Sequence, residues 1–429
     1  MLKIKNNRVF FDEVDVVSFA KERVTPFFLF SETILRDNIS LFKRSFSKSY
    51  KRMRIDYSAK TNNELGILRV IKDMGLGLEI CTGHELYLAK KAGFASSTIS
   101  FDGPVKKDEE IEFAIKEGIH AFYVDWEQEI YRLDRLAFNL KKKVKVVFRV
   151  NLQPRSIFLN LGEVFLKKFG MASDQILKTY LACSNLNNIK PIGLSTHLGT
   201  QLPDSEKHER AIEKLVQIAA SLEKEGLGIE EINLGGGYPA PNITRTTLGS
   251  MVLLFLGVRY RKKVQSIASF GKKVSKKFFQ ETKKLKSNVL MAVQTGRGVV
   301  ASSGIMVSQI TSVKPGWIFL DVSTSCLPQS FLFAERKIIN ANKVGERESE
   351  KYNISGCSLN SVDIFSLKKP FACPEPGDIC LVLDAGAYSI SQASRFGSLP
   401  PQVLMISNGK IRQIRRREVY EDVIRPMEA

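Results

Sequence analysis

Lys60 stands in Ile55-Asp56-Tyr57-Ser58-Ala59-Lys60-Thr61-Asn62-Asn63. The run before it is short and apolar-leaning, and Leu65, Ile67, Leu68, Val70 and Ile71 follow at helical spacing. The pattern places Lys60 at the carboxyl end of a strand, just ahead of a helix. Barrel enzymes carry their catalytic residues at that end. A lysine amine held in a partly dry site has a lowered pKa and condenses with carbonyl carbons. Alone, Lys60 reads as one of many surface lysines, because exposure is the rule for Lys. Three further stretches at inferred strand ends change that. His197, in Ser195-Thr196-His197-Leu198-Gly199-Thr200-Gln201, suits either stacking on a flat ring or packing in a barrel top, and Thr200 can hydrogen-bond a phosphate. Gly235-Gly236-Gly237 suits a tight turn or, better, a nest of backbone N–H groups for an anion. In Gln294-Thr295-Gly296-Arg297, the guanidinium is either a surface group or a fork for phosphate. Asp384-Ala385-Gly386-Ala387-Tyr388 can close over the same anion. An amine, a ring partner and a phosphate cradle together describe a site for pyridoxal 5′-phosphate.

The elements that must position these groups follow a rhythm. Short apolar runs end near Lys60, Cys81, Phe101, Val124, Asn151, His197, Leu234 and Gln294. Helical patterns lie between them, at 84–92, 107–117, 127–139, 205–225 and 264–286, and another helix starts near Glu32, capped by Ser31. Strand-then-helix repeated about eight times predicts an α/β fold, a (β/α)8 barrel. Gly75, Gly77, Gly93, Gly118, Gly226 and Gly228 are expected as helix caps. After Gly298 the pattern turns β-rich at 299–310, 317–322, 379–383 and 403–407. The expected organisation is a barrel over 33–297 and a mainly β domain built from 1–32 plus 298–429.

The chain has 429 residues, 44% apolar and 25% charged, which reads as soluble and globular. The apolar run at 251–258 is far short of a membrane span, and the N-terminus lacks an apolar signal core. A cytoplasmic protein is expected. Six scattered cysteines are expected as free thiols, with no zinc spacing to the four histidines, so no metal is expected. The net charge is +19, and basic residues crowd Arg259 to Lys286. A solvated helix face or an acidic protein partner fits this stretch. Nucleic acid does not, for want of interleaved aromatics.

The motifs, in order, resemble the fold type III pyridoxal-phosphate-dependent amino-acid decarboxylases, the family of diaminopimelate and ornithine decarboxylases. Tyr57–Asn62, Gly77–Leu86, Lys168–Met171, His197–Gln201, Gly235–Gly237, Gly296-Arg297, Asp384–Tyr388 and Ile414–Glu418 carry the resemblance over nearly the whole chain. It implies an alanine-racemase-like barrel with a β domain. Lys60 would hold the cofactor aldehyde and His197 would stack on its ring. Thr200, Gly235, Gly236, Gly237, Arg297 and Tyr388 would bind the phosphate, with Glu79 and Arg149 near the ring. It also implies a head-to-tail homodimer whose loop 356–363 completes the neighbouring site.

Four positions depart from the family pattern. Gln294 stands where a Glu keeps the pyridine nitrogen protonated. Aligned on Asp363, Leu359 takes the place of the loop Cys and Asn360 that of the acid, so Asn360 and Asp363 are the loop's candidate catalytic residues. Leu327-Pro328 replaces the Arg-Pro that holds a distal carboxylate. An unpaired buried charge costs on the order of several kcal/mol, which disfavours diaminopimelate. The expectation is therefore decarboxylation of a glutamyl-like aminoacyl group tethered to an acidic acyl carrier protein, as in butirosin assembly, in antibiotic biosynthesis. The alternatives are a free diaminopimelate, ornithine or lysine substrate, a racemase, or an inactive regulatory homologue. With Leu359 at the position of the family's donor thiol, Lys60 itself or a water are the candidate proton donors.

Overall fold

A computed structural model describes residues 2–152, 167–245, 264–328, 334–348 and 350–427. The run at 251–258 and the basic residues 259–263 lie outside these. Eight parallel strands form a closed ring: β1 (Met53–Ser58), β2 (Gly77–Ile80), β3 (Ile99–Phe101), β4 (Ala121–Val124), β5 (Val144–Asn151), β6 (Ile189–Ser195), β7 (Glu231–Asn233) and β8 (Leu290–Thr295). Each pairs with the next, β8 pairs with β1, and the short strand Met171–Ala172 adds to β5. Every strand ends within two residues of its expected position.

The helices between strands follow from apolar spacing. In Glu127–Asn139, Ile130, Leu133, Leu136 and Ala137 recur on one face and are buried. Each such Ile or Leu contributes roughly 1.5–3 kcal/mol on burial. Acidic Glu127 and Glu129 suit the positive end of the helix dipole. The basic helix is shorter than expected, Ile267–Thr282, and it buries Phe270, Val274 and Phe278 while Lys272, Lys273 and Lys276 face solvent. A helix at Ser173–Ser184 fills the interval between β5 and β6. Gly93 and Gly118 end helices in the left-handed region. Gly77 does not cap. It opens β2, where a Cβ would lie 2.2 Å from Asp56 Oδ1.

At the strand starts, opposite the mouth, a polar cluster fills the ring. Arg54 of β1 donates to Glu231 of β7 from both terminal nitrogens, at 2.7 and 3.2 Å, and from Nε to Asp56 at 3.0 Å. Tyr123 donates to Glu231 Oε1 at 2.9 Å and accepts from Asn233 at 2.8 Å, and His120 Nε2 lies 3.0 Å from Glu231 Oε2. Burial raises the pKa of Glu231, but His120 and Arg54 outweigh it and hold the carboxyl at about 2.

The chain divides into two compact units. The barrel unit spans 39–239 and 264–298. Described residues 33–38 and 240–245, which the expected span of 33–297 counted in the barrel, fall with the β elements in this division. In the β unit, Gly304–Lys314 pairs antiparallel with both Phe27–Ser31 and Ile379–Val382, and Gln402–Ser407 runs parallel to Phe27–Ser31. The N-terminal strands therefore join the later ones around Phe11, Phe27, Leu29, Val307, Leu381 and Leu404. Ser31 Oγ accepts from Ile34 N at 2.9 Å, the expected cap of Glu32–Phe46. Arg297–Val300 and Ala301–Ser303 are helical turns, so the β pattern expected from 299 begins at Gly304.

Candidate active site

β1 gives way to a 3-10 turn, Ala59–Thr61, which presents Lys60. Buried Tyr57 braces this turn by donating to Asn62 O at 3.1 Å. On the neighbouring strand, Glu79 is fully buried and its two oxygens take Lys60 Nζ at 2.9 and 3.2 Å. Cys81 Sγ lies 3.4 Å from the same Nζ and donates to Glu79 Oε1 at 3.2 Å. The Lys60 side chain keeps 44% exposure, and its Nζ is paired with Glu79. Behind them, Glu85 Oε2 accepts from Cys81 N at 2.6 Å. Burial, helped by Glu79, pushes the Glu85 carboxyl up to about 7 against the pull of that N–H and of Lys60.

From β5, buried Arg149 reaches Asp102 beyond β3 at 3.3 Å and Asp125 beyond β4 at 3.5 Å, and covers the Phe169 ring at 4.6 Å. Burial raises Asp102, but Arg149, Lys60 and Lys106 together bring it below the usual carboxylate value. Gly170 is needed here, because its φ is +77° and a Cβ would lie 2.8 Å from Arg149 O. His197 follows β6. Burial and the nearby Arg149 and Lys60 cations push its imidazole down to about 3, so it is a neutral flat ring.

The glycine run after β7 is closely packed. A Cβ on Gly235 (φ +66°) would meet Thr196 O at 2.2 Å, one on Gly236 would meet Gln294 O at 2.9 Å, and one on Gly237 (φ +97°) would meet Gly199 O at 2.6 Å. The run is not three open donors, as the sequence suggested. Gly235 N donates to Asn233 Oδ1 at 2.8 Å, and Gly236 N approaches His197 Nδ1 at 3.4 Å. Sequence reasoning missed His208, whose Nε2 donates to Gly236 O at 3.1 Å and whose ring stacks on Tyr238 at 5.2 Å. Burial pushes His208 down to about 4, which keeps it neutral. Its position on the buried face of Glu206–Lys224 was the only available signal. Gln294 and Arg297 are both buried at the end of β8. A Cβ on Gly296 would lie 2.3 Å from Thr61 Oγ1, so glycine lets the Lys60 turn and the Arg297 turn touch. Thr200 is exposed beyond this loop.

In the β unit, Asp384 and Tyr388 hold φ of +53° and +52°, a conformation non-glycine residues rarely adopt outside constrained sites. Asn242 N and Nδ2 donate to Asp384 at 2.9 and 3.1 Å, and Arg336 donates to Ala387 O at 3.0 Å. These braces were also missed. Asp363, expected to be catalytic, is 1% exposed, and its oxygens accept from Thr324 N at 2.7 Å and from Ser358 N and Oγ at 2.9 and 2.5 Å. It staples its own loop. Asn360 is exposed and accepts from Val362 N at 3.2 Å, Leu359 is fully exposed, and Leu327 is buried.

A buried carboxylate against Lys60, a neutral flat imidazole, and glycines too crowded for any side chain fit a carbonyl cofactor with an aromatic ring and a phosphate. Residues 36–301 match the family described as pyridoxal-dependent decarboxylase, pyridoxal binding domain. The diaminopimelate decarboxylase of Methanocaldococcus jannaschii is 28% identical over 99% of this chain and 95% of its own length. A crystal structure of diaminopimelate decarboxylase from that organism superposes with TM-score 0.88 at 26% identity, covering 99% of this chain and 96% of the other. The L-glutamyl-[BtrI acyl-carrier protein] decarboxylase of Niallia circulans is 25% identical over 96% of both chains.

Proposed function

The chain belongs to the pyridoxal-dependent decarboxylases, carboxy-lyases that use pyridoxal 5′-phosphate, and we propose that it removes the α-carboxylate of a free L-amino acid of the diaminopimelate, ornithine or lysine type. The observation that carries this reading is the Lys60–Glu79 pair at the barrel mouth, beside the neutral His197. The relatives that are diaminopimelate decarboxylases favour a free amino acid over the tethered group expected from sequence.

When bound, the cofactor supplies the electron sink for the pair left at Cα as CO2 departs. Lys60 would hold its aldehyde, and Glu79 fixes the position of Nζ. His197, neutral, would lie flat against the ring without placing a second cation beside Lys60. Within the barrel unit, Gly235–Gly237, Thr200 and Arg297 would hold the phosphate. Arg149 between Asp102 and Asp125 sets the local field. Gln294 would offer the ring nitrogen a neutral hydrogen-bond partner. The working form is taken as a homodimer, which light scattering tests.

A second reading keeps the carrier-tethered glutamyl substrate. It is favoured by Leu327 and Asn360 at the positions that would clamp a charged distal end, and by the relative from Niallia circulans. Release of CO2 from free diaminopimelate, ornithine, lysine and glutamate should be compared with release from a carrier-bound glutamyl thioester. Faster turnover of a free amino acid upholds the first reading, and turnover of the thioester alone replaces it with the second. Loss of optical activity without CO2 would mean racemisation and would reject both.

A further inference from the structure

Decarboxylation leaves an electron pair on Cα, so each turnover needs one proton delivered to that carbon. Leu359, which replaces a thiol in the loop alignment, carries no transferable proton and points into solvent. The barrel mouth holds a thiol of its own. Cys81 Sγ is 3.4 Å from Lys60 Nζ and 3.2 Å from Glu79 Oε1. Its backbone is pinned by Glu85 at 2.6 Å, and it keeps partial exposure, so solvent can reach it between turnovers. The other described thiols are Cys183, on the buried face of the helix Ser173–Ser184, and Cys326, Cys357, Cys373 and Cys380, in the β unit.

We propose that Cys81 is the catalytic acid of this site, delivering its proton to Cα after CO2 leaves. The inference rests on the decarboxylase reading. The bond broken is S–H and the bond formed is Cα–H. Sulfur keeps the S–H electron pair as thiolate, and water reprotonates it, so one proton is consumed and one CO2 released per turnover. Burial, then the Glu79 carboxylate, pushes the thiol pKa well above its usual range, so the proton stays on sulfur at neutral pH until it is drawn off. The adjacent Lys60 ammonium stabilises the thiolate while it lasts.

The test is turnover of the cofactor-loaded enzyme in D2O. The wild type should place one deuteron on a single face of the product carbon. Cys81→Ala should keep the visible band of bound cofactor while kcat falls about 100-fold, the scale of a positioned general acid. Some turnovers should then protonate the cofactor carbon instead, giving an aldehyde product and bleaching the band. Cys81→Ser, which holds its proton more tightly, should fall between. If Cys81→Ala loses the band, S-methylthiolation of the loaded wild type by methyl methanethiosulfonate applies the same test. Single-face deuteration with no aldehyde in the blocked enzyme overturns the inference alone. A wild type that releases no CO2 overturns the decarboxylase reading and this inference with it.

Discussion

Glu231→Gln tests whether the polar cluster at the strand starts, rather than the mouth, carries the barrel's electrostatic stability. Glu231 receives both terminal nitrogens of Arg54 and the Tyr123 hydroxyl, and its side chain is 4% exposed. Its pKa falls from an ordinary 4.5 to about 2. At about 1.36 kcal/mol per pKa unit, that shift corresponds to roughly 3 kcal/mol of stability. Breaking a buried ion pair from one side costs about 3–5 kcal/mol, which agrees. Because the folded value is depressed, the stabilisation is full above pH 4.5 and is lost as pH falls toward 2. Urea unfolding of wild type and Glu231→Gln from pH 7 to pH 2.5 should therefore show a gap of about 3 kcal/mol that narrows at acid pH. Cofactor binding should persist in the folded variant, since Lys60 and His197 lie at the other end of the strands. Equal stability at pH 7, or a gap that widens on acidification, would refute the argument.

Three other outcomes follow from the site. Lys60→Ala should abolish the visible band of the bound cofactor, and an unchanged band would reject the lysine assignment. Gly235→Ala puts a Cβ 2.2 Å from Thr196 O at φ +66°, so it should cost more than about 1 kcal/mol of thermal stability and weaken cofactor retention on gel filtration. Glu85 titrates near 7 when folded against an ordinary 4.5, so its ionisation opposes folding as pH rises between these values. Glu85→Gln should gain stability relative to wild type across that window and hold the gain above it, as read by chemical denaturation at pH 4.5 and 8.

Much of the fold was legible because short apolar runs and amphipathic helices are local signals. The runs ending at Phe101, Val124 and Asn151 are strands with those endpoints. The capping role of Ser31 could be read from its own neighbourhood. What escaped the sequence depends on distant contacts. Arg54, His120 and Glu231 look like surface residues until ring closure brings them together. Gly77 reads as a cap and is instead a space for Asp56. Asp363 has the type and position of a catalytic acid, and only its bonds to Thr324 and Ser358 show that it holds a loop. Cys81 carried no spacing signal, because its meeting with Lys60 comes from the pairing of two strands.

Gly296 against Thr61 joins the last strand of the ring to the turn after the first. During synthesis the Lys60 turn emerges early, but the groups around it on the β8 side are made only when the ring is nearly complete. A ribosome-bound chain that stops short of β8 would thus carry the amine without its surroundings. Retention of the vitamin by nascent chains of increasing length should appear abruptly once that final strand has cleared the exit tunnel, making capture of the coenzyme a readout of ring closure.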